Sequence, residues 1–378
     1  MRLLKRLMAV GLTALLALLS VLPASAAEPE VSAHAAVLYD PHSGAVLYEK
    51  NGYEVLPMAS TTKIMTALLA FESGRSAEPV EITQEMVAVE GSSMGLKAGD
   101  VLTLGSIAEG MMMASGNDGA NAIALFLGGD AESFAALMND RAAEIGMEQT
   151  HFVTPSGLDA EGHGSTAYDM ALLGAEAMRC PEFAETVGAE ALQVEFLSPE
   201  KTVRYENHNR LLQLYADCTG IKTGFTKKAG RCLVSAAERD GAALVCVTLN
   251  APDDWNDHIA LFEYGFAQME PRVLTADFAL CAVPVVGGTA QVVPCTVQLE
   301  ATVSLYRNAA VTEELYLPRF IYAPVAAGEV LGFVRYVVNG KTLEEVPLTA
   351  MVSVPVQPDT RSDFQKWAER YFPHLAER

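Results

Sequence analysis

The hydrophobic period of this chain changes twice. Short apolar strand-like runs lie around residues 36–49, apolar residues take helical spacing in stretches from 64 to 178, and strand-like runs return between 201 and 250. A sheet assembled from both ends of one segment, with the intervening helices around it, is an α+β arrangement. Residues 36–40 and 45–49 read as a hairpin around a Pro-His-Ser-Gly turn. Ile64, Leu68 and Leu69 share a helical face, and Ser73-Gly74 closes that helix. Residues 104–146 are mostly helical, with breaks at 116–119 and 128–129, and 166–178 predicts a further helix. Residues 201–206, 229–238 and 242–250 predict strands, and 253–269 a helix with Asp253 as its N-cap.

After Pro271 the composition shifts to Val, Thr and Pro in short strand-like runs, with no helix before residue 361. Residues 271–357 therefore predict a small all-β sandwich, without a cluster of titratable side chains. Residues 358–378 form a tail in which Phe364, Trp367, Tyr371, Phe372 and Leu375 fall near one helical face. That face either docks on the protein or makes a peripheral membrane contact through residues 361–375. At the other end, Arg2, Lys5 and Arg6 precede an apolar stretch over 7–22 and an Ala24-Ser25-Ala26 cleavage pattern. Residues 1–26 thus predict a signal peptide and an exported protein working at the cell wall and the outer face of the cytoplasmic membrane, with 27–270 as its main domain.

Charge narrows the partners. The chain has 26 basic and 47 acidic residues, and the leader removes three basic ones and no acidic ones. A protein so acidic offers no basic face to a nucleic acid. The six cysteines show no zinc-type spacing, and the seven histidines show no His-Glu-x-x-His, so no metal or cofactor is expected. Cys232 and Cys246 sit inside apolar runs and read as small buried hydrophobes.

Three short motifs carry chemistry. Ser60-Thr61-Thr62-Lys63 opens a helix; residues three apart on a helix share a face, so the lysine can serve the serine. Free backbone N–H groups and the positive dipole end at a helix start suit an oxygen that must become an anion. A second Ser-x-x-Lys, Ser198 to Lys201, lies in a Pro-containing turn with no helix to fix it. Ser115-Gly116-Asn117 follows in a Gly-broken link between helical runs. Lys222-Thr223-Gly224 then leads into a strand, offering a cation, a hydroxyl and a glycine that lets a ligand lie against a strand edge. Singly each pattern is weak, since a turn or a surface charge explains it equally well.

In this order and setting the three motifs resemble those of the penicillin-binding proteins and serine β-lactamases. More closely, residues 31–270 resemble the low-molecular-mass penicillin-binding proteins that are D-alanyl-D-alanine carboxypeptidases, through ASTTK, SGN, KTGFT and FVTPSGLDAEGHGST at 152–166. The resemblance implies a β-lactamase/transpeptidase-like domain followed by the β-rich one. It implies that Ser60 is acylated, that Lys63 takes its proton and that Ser115 passes a proton to the leaving amine. Asn117 would hold Lys63 and the substrate's peptide group, and Lys222 and Thr223 the terminal carboxylate. Gly224 completes that strand motif, and the backbone N–H groups of Ser60 and Phe225 would form the oxyanion hole. The implied partner is a peptidoglycan stem peptide ending in D-Ala-D-Ala, with β-lactams as covalent inhibitors.

Rival readings are a serine β-lactamase, a wall-binding protein without activity, and an α/β-hydrolase suggested by Gly91-Ser92-Ser93-Met94-Gly95. The last needs a strand before it and a helix after it, and Leu96-Lys97-Ala98-Gly99-Asp100 reads as a turn instead. A class A β-lactamase would need a deacylating glutamate, and Glu161 stands in a different setting.

Overall fold

The computed structural model describes residues 28–275, 281–297 and 300–372. The signal-peptide reading of 1–26, and Leu375 of the tail, lie outside these residues. The chain forms two compact units, one chiefly of residues up to Met269 and the other chiefly of residues from Glu270.

In chain order the first unit contains β1 (Ala35–Asp40) and β2 (Ala45–Lys50), a single 3-10 turn (Ala59–Thr62), and α1 (Lys63–Glu72). Then come β3 (Pro79–Glu81), β4 (Val101–Thr103), α2 (Leu104–Ala114), α3 (Asn117–Gly128), α4 (Ala131–Ile145), α5 (Ala167–Ala177) and α6 (Pro181–Gly188). β5 (Ala191–Phe196), β6 (Lys201–Glu206), the short α7 (Leu211–Leu214), β7 (Cys218–Thr226), β8 (Gly230–Arg239), β9 (Ala242–Leu249) and α8 (Asp254–Phe266) complete it. Helix starts follow the capping chemistry: Thr103, Asp130 and Thr166 each accept a backbone N–H three residues on. Asp253 occupies the N-cap of α8, but its carboxylate accepts from the side chain of Asn256 and not from the helix backbone.

One five-stranded sheet, in the order β2-β1-β9-β8-β7, organises the unit. Antiparallel pairing of β1 with β9 joins the two ends of the segment, as the change of period implies. Both faces of the sheet are covered. Ala35, Val37 and Tyr39 join Val245, Val247 and Leu249 in the core with α1 to α6. Ala36 and Leu38 join Leu244 and Cys246 in a second core with Leu261, Phe262 and Phe266 of α8. This explains why β1 is apolar at successive positions: a strand covered on both faces does not alternate. Cys232 and Cys246 are wholly buried in these cores, and all six cysteines are free thiols.

The second unit is built from β10 (Met269–Thr275), β11 (Cys281–Val286), β12 (Val292–Val297), β13 (Glu300–Tyr306), β14 (Val311–Tyr316), β15 (Ile321–Tyr322), β16 (Val330–Val338) and β17 (Lys341–Ala350). A six-stranded sheet runs β14-β16-β17-β12-β11-β15, and β10 pairs with β13 in a two-stranded ribbon. Val283, Val293, Val334, Leu348 and Leu274 share its main core. The tail helix α9 (Asp363–Tyr371) starts on a capping box between Ser362 and Gln365. Its aromatic residues are not docked: Phe364, Trp367 and Tyr371 are 72%, 50% and 60% exposed. No helix among the described residues is long and apolar enough to cross a membrane.

Candidate active site

Ser60 lies in the 3-10 turn that runs directly into α1. Ala59 before it has φ of 49°. That left-handed backbone costs a residue with a Cβ about 1 kcal/mol or more, and such strain concentrates at functional turns. Lys63, the first residue of α1, is fully buried. Its Nζ lies 3.0 Å from Ser60 Oγ, 2.7 Å from Asn117 Oδ1 and 2.7 Å from the Ser156 carbonyl. Burial holds its pKa well below the ordinary lysine range; nearby Lys222 lowers it further, and Asp118 opposes both.

Ser115 caps α2 in a left-handed conformation, φ 54°, and Asn117 opens α3 two residues later. The break between these helices thus puts Ser115 in the cleft with Ser60 and Asn117 against Lys63. The Asn117 amide is oriented at both ends. Its oxygen accepts from Lys63, and its nitrogen donates to the Glu90 carbonyl at 2.7 Å.

β7 is an outer strand of the sheet, and it carries Lys222, Thr223, Gly224 and Phe225 past the Ser60 turn. A Cβ at Gly224 would stand 3.0 Å from both the Met58 carbonyl oxygen and the Ser60 nitrogen. The sequence reading gave this glycine to a ligand, yet the Ser60 turn already fills the space a side chain would need. Lys222 is buried, donates to the Thr223 carbonyl at 3.1 Å, and has its pKa drawn down to about 7 by burial. Phe225 is 65% exposed. Because β7 has a neighbour on one side only, part of its backbone is open to a peptide laid along it.

Ser60, Ser115, Thr223, Gly224 and Phe225 line one cleft of about 280 Å³, while Lys63, Asn117 and Lys222 are buried and not part of its lining. Ser198 and Lys201 are elsewhere, in the β5–β6 turn and at the start of β6, where Lys201 sits 4.0 Å over the Phe196 ring. Gly91 to Gly95 is irregular chain, with no helix following it. Among the described residues no group of three or more His, Cys, Asp or Glu is placed to hold a metal ion.

The sequence matches the family described as D-alanyl-D-alanine carboxypeptidase, Peptidase_S11, over residues 23–253. The chain belongs to that family. It is 34% identical over 348 residues to the D-alanyl-D-alanine carboxypeptidase DacC of Escherichia coli, covering 86% of this chain and 85% of that one. It is 31% identical over 332 residues to DacF of Bacillus subtilis, also a D-alanyl-D-alanine carboxypeptidase, covering 84% and 85%. Among solved structures it resembles penicillin binding protein 5 from Haemophilus influenzae, with TM-score 0.64, 27% identity, and 87% and 99% coverage. The fold is that of the penicillin-binding proteins, and the chain is a serine-type D-Ala-D-Ala carboxypeptidase.

Other residues at this carboxypeptidase's site lie outside the three short motifs. Ser156 contributes a carbonyl, so its side-chain identity gave no signal. Arg231 reaches the cleft from β8, its Nη2 donating to both oxygens of Asp254 at 2.6 and 2.9 Å, with its guanidinium 5.4 Å from the Trp255 ring. His208, also in the wall, has its pKa lowered by burial and by Lys222. It comes from the irregular chain before α7, where nothing in the pattern marks it.

Proposed function

We propose that this enzyme removes the terminal D-alanine from peptidoglycan stem pentapeptides through an acyl-enzyme on Ser60. The observation that carries this reading is the environment of the Lys63 amine. A neutral amine has two hydrogens and one lone pair. The Asn117 and Ser156 oxygens take the two hydrogens, which leaves the lone pair facing Ser60 Oγ. Lys63 then accepts the hydroxyl proton as Ser60 attacks the carbonyl carbon of the penultimate D-alanine. The oxyanion is held by the backbone N–H groups of Ser60 and Phe225. Ser115 passes the proton to the amine of the departing D-alanine, and water hydrolyses the ester to free Ser60. Lys222 and Thr223 receive the terminal carboxylate, and Asn117 the substrate amide.

β-Lactams acylate Ser60 by the same attack: the ring C–N bond breaks, its nitrogen takes the proton through Ser115, and that nitrogen stays tethered to the acyl group. Glu161 is exposed on a turn, which gives no support to a deacylating role of the class A β-lactamase kind. The leader pattern over residues 1–26 supports export to the outer face of the cytoplasmic membrane. The exposed aromatic face of α9 supports a shallow contact with that membrane.

Incubation with a synthetic pentapeptide ending in D-Ala-D-Ala should release one equivalent of D-alanine per peptide. A fluorescent penicillin should label Ser60 in peptide maps. A label on Ser93 or Ser115, or no D-alanine release, would overturn the proposal, and rapid penicillin turnover would point to a β-lactamase.

A further inference from the structure

Asp118 follows the Ser115-Gly116-Asn117 turn and is 2% exposed. Its carboxylate accepts five hydrogen bonds. One comes from its own helix, the Gly119 N–H at 2.9 Å. The other four come from a separate segment: Ser93 Oγ at 2.6 Å, and the backbone N–H groups of Met94, Gly95 and Leu96 at 2.9, 3.0 and 3.0 Å. An ordinary helix-start carboxylate serves its own first turn. This one gathers a neighbouring loop onto the helix.

That loop in turn holds the catalytic turn. Its Ser92 carbonyl accepts from the Asn117 N–H at 2.7 Å, and its Glu90 carbonyl accepts from the Asn117 side chain at 2.7 Å. The two segments are so close that a Cβ at Gly116 would fall 2.6 Å from Asp118 Oδ1 and 2.7 Å from the Met94 nitrogen. Ser92 also lines the catalytic cleft.

We propose that Asp118 is a positioning residue for the acylation step: its carboxylate pins the 93–96 loop, the loop fixes the Asn117 amide, and Asn117 aims the Lys63 amine at Ser60. This rests on the Ser60 acyl-enzyme reading. Only a carboxylate can accept all five donors. An asparagine would turn an NH₂ group towards donors on one side and lose several of these bonds. Asp118 acts on Lys63 a second way, as a nearby negative charge that favours the protonated amine. The charged groups facing Lys63 are Lys222 from β7 and Asp118 from α3. The loop at 156 presents a carbonyl, His163 meets the 3-10 turn through the Thr62 hydroxyl, and His208 stands by Lys222.

The test compares penicillin acylation by the full chain with that of Asp118→Asn and Asp118→Glu across pH. Asp118→Asn should acylate about ten- to a hundredfold more slowly, the cost of a misplaced catalytic group. Its acid limb should also move to lower pH, because Lys63 loses a neighbouring anion and gives up its proton more readily. Asp118→Glu should keep the limb of the parent protein. Unchanged rates in Asp118→Asn, or slower rates with an unmoved limb, would overturn the proposal, the second outcome leaving Asp118 merely structural. Hydrogen exchange on the unaltered protein serves if Asp118→Asn does not fold. The 94–96 amides should then be protected although they lie outside any helix or strand, and free exchange there would also overturn it. Failure of the unaltered protein to take up penicillin would count against the Ser60 reading instead.

Discussion

Lys63 Nζ and Ser60 Oγ stand 3.0 Å apart, with the amine held from the other side by the Asn117 and Ser156 oxygens, each at 2.7 Å. Lys63 is also fully buried, which disfavours its charged form. Both facts fit a proton acceptor. Lys63→Arg keeps a cation that cannot be deprotonated at working pH. Penicillin acylation should fall by about 10²- to 10⁴-fold, the usual worth of a positioned base. Stopped-flow labelling, with the melting temperature followed in parallel, checks this; near-normal labelling by the variant would remove Lys63 from the reaction.

Lys222 has its pKa lowered to about 7 by burial, so in the free enzyme it loses its proton as pH rises through that value. If its charge binds the substrate carboxylate, kcat/KM should show an alkaline limb near pH 7, because that ratio reports the free enzyme. A peptide with an amidated C-terminus should lack this limb. It should also be cleaved about tenfold to more than a hundredfold less efficiently, for want of a charge-assisted hydrogen bond of roughly 1.5–3 kcal/mol. Equal cleavage of the two peptides would argue for an endopeptidase.

Gly224→Ala tests the closeness of β7 to the Ser60 turn. The added methyl would stand 3.0 Å from the Met58 oxygen and the Ser60 nitrogen, and 3.1 Å from the Thr61 nitrogen. Relieving this by a shift of a few tenths of an ångström moves the nucleophile relative to the strand. We expect kcat to fall by about ten- to a hundredfold. Stability should drop by only about 1–3 kcal/mol, as for a modest overpacking. A loss of stability with full activity would show that the spacing between turn and strand is not critical.

His258 is buried between Ser235 and Thr248, and burial lowers its pKa to about 3. His163, bonded to Thr62 Oγ1 at 3.0 Å, is lowered to about 4, mainly by burial. Both are folded as neutral rings, while the unfolded chain protonates them below about pH 6.5. Their contribution is therefore present above pH 6.5 and is lost as pH falls towards the folded values. For His258 alone the loss at pH 5 is about 2 kcal/mol. Melting curves at pH 7 and pH 5 should show the decline, and His258→Gln should flatten it; an equal decline in that variant would place the acid sensitivity elsewhere.

The alternation of period along the chain made the α+β layout legible, and strands β1, β8 and β9 fall within a residue of where their apolar runs lie. β5 and β7 were harder. β5 reads ALQVEF, a short run whose partner β6 is mainly polar, and β7 reads CTGIKTGFT, in which two glycines mask the strand. Tertiary pairing with β8 overrides that weak propensity.

Sequence by itself determined which chemical groups are available: a serine three residues before a lysine at a helix start, a Ser-Gly-Asn link, and a Lys-Thr-Gly strand. These are local facts, because spacing along a helix or a turn is set by backbone geometry. Only the tertiary structure decided what each group meets. Asp118, Ser156, His208 and Arg231 reach the cleft or its supports from four separate segments. Asp118 and Ser156 lie beside or within stretches the motifs mark, and His208 and Arg231 do not, but for all four the partners that give them a role lie far away in the chain. The low proton affinity of Lys63 and Lys222 likewise comes from burial, and burial is a property of the assembled core.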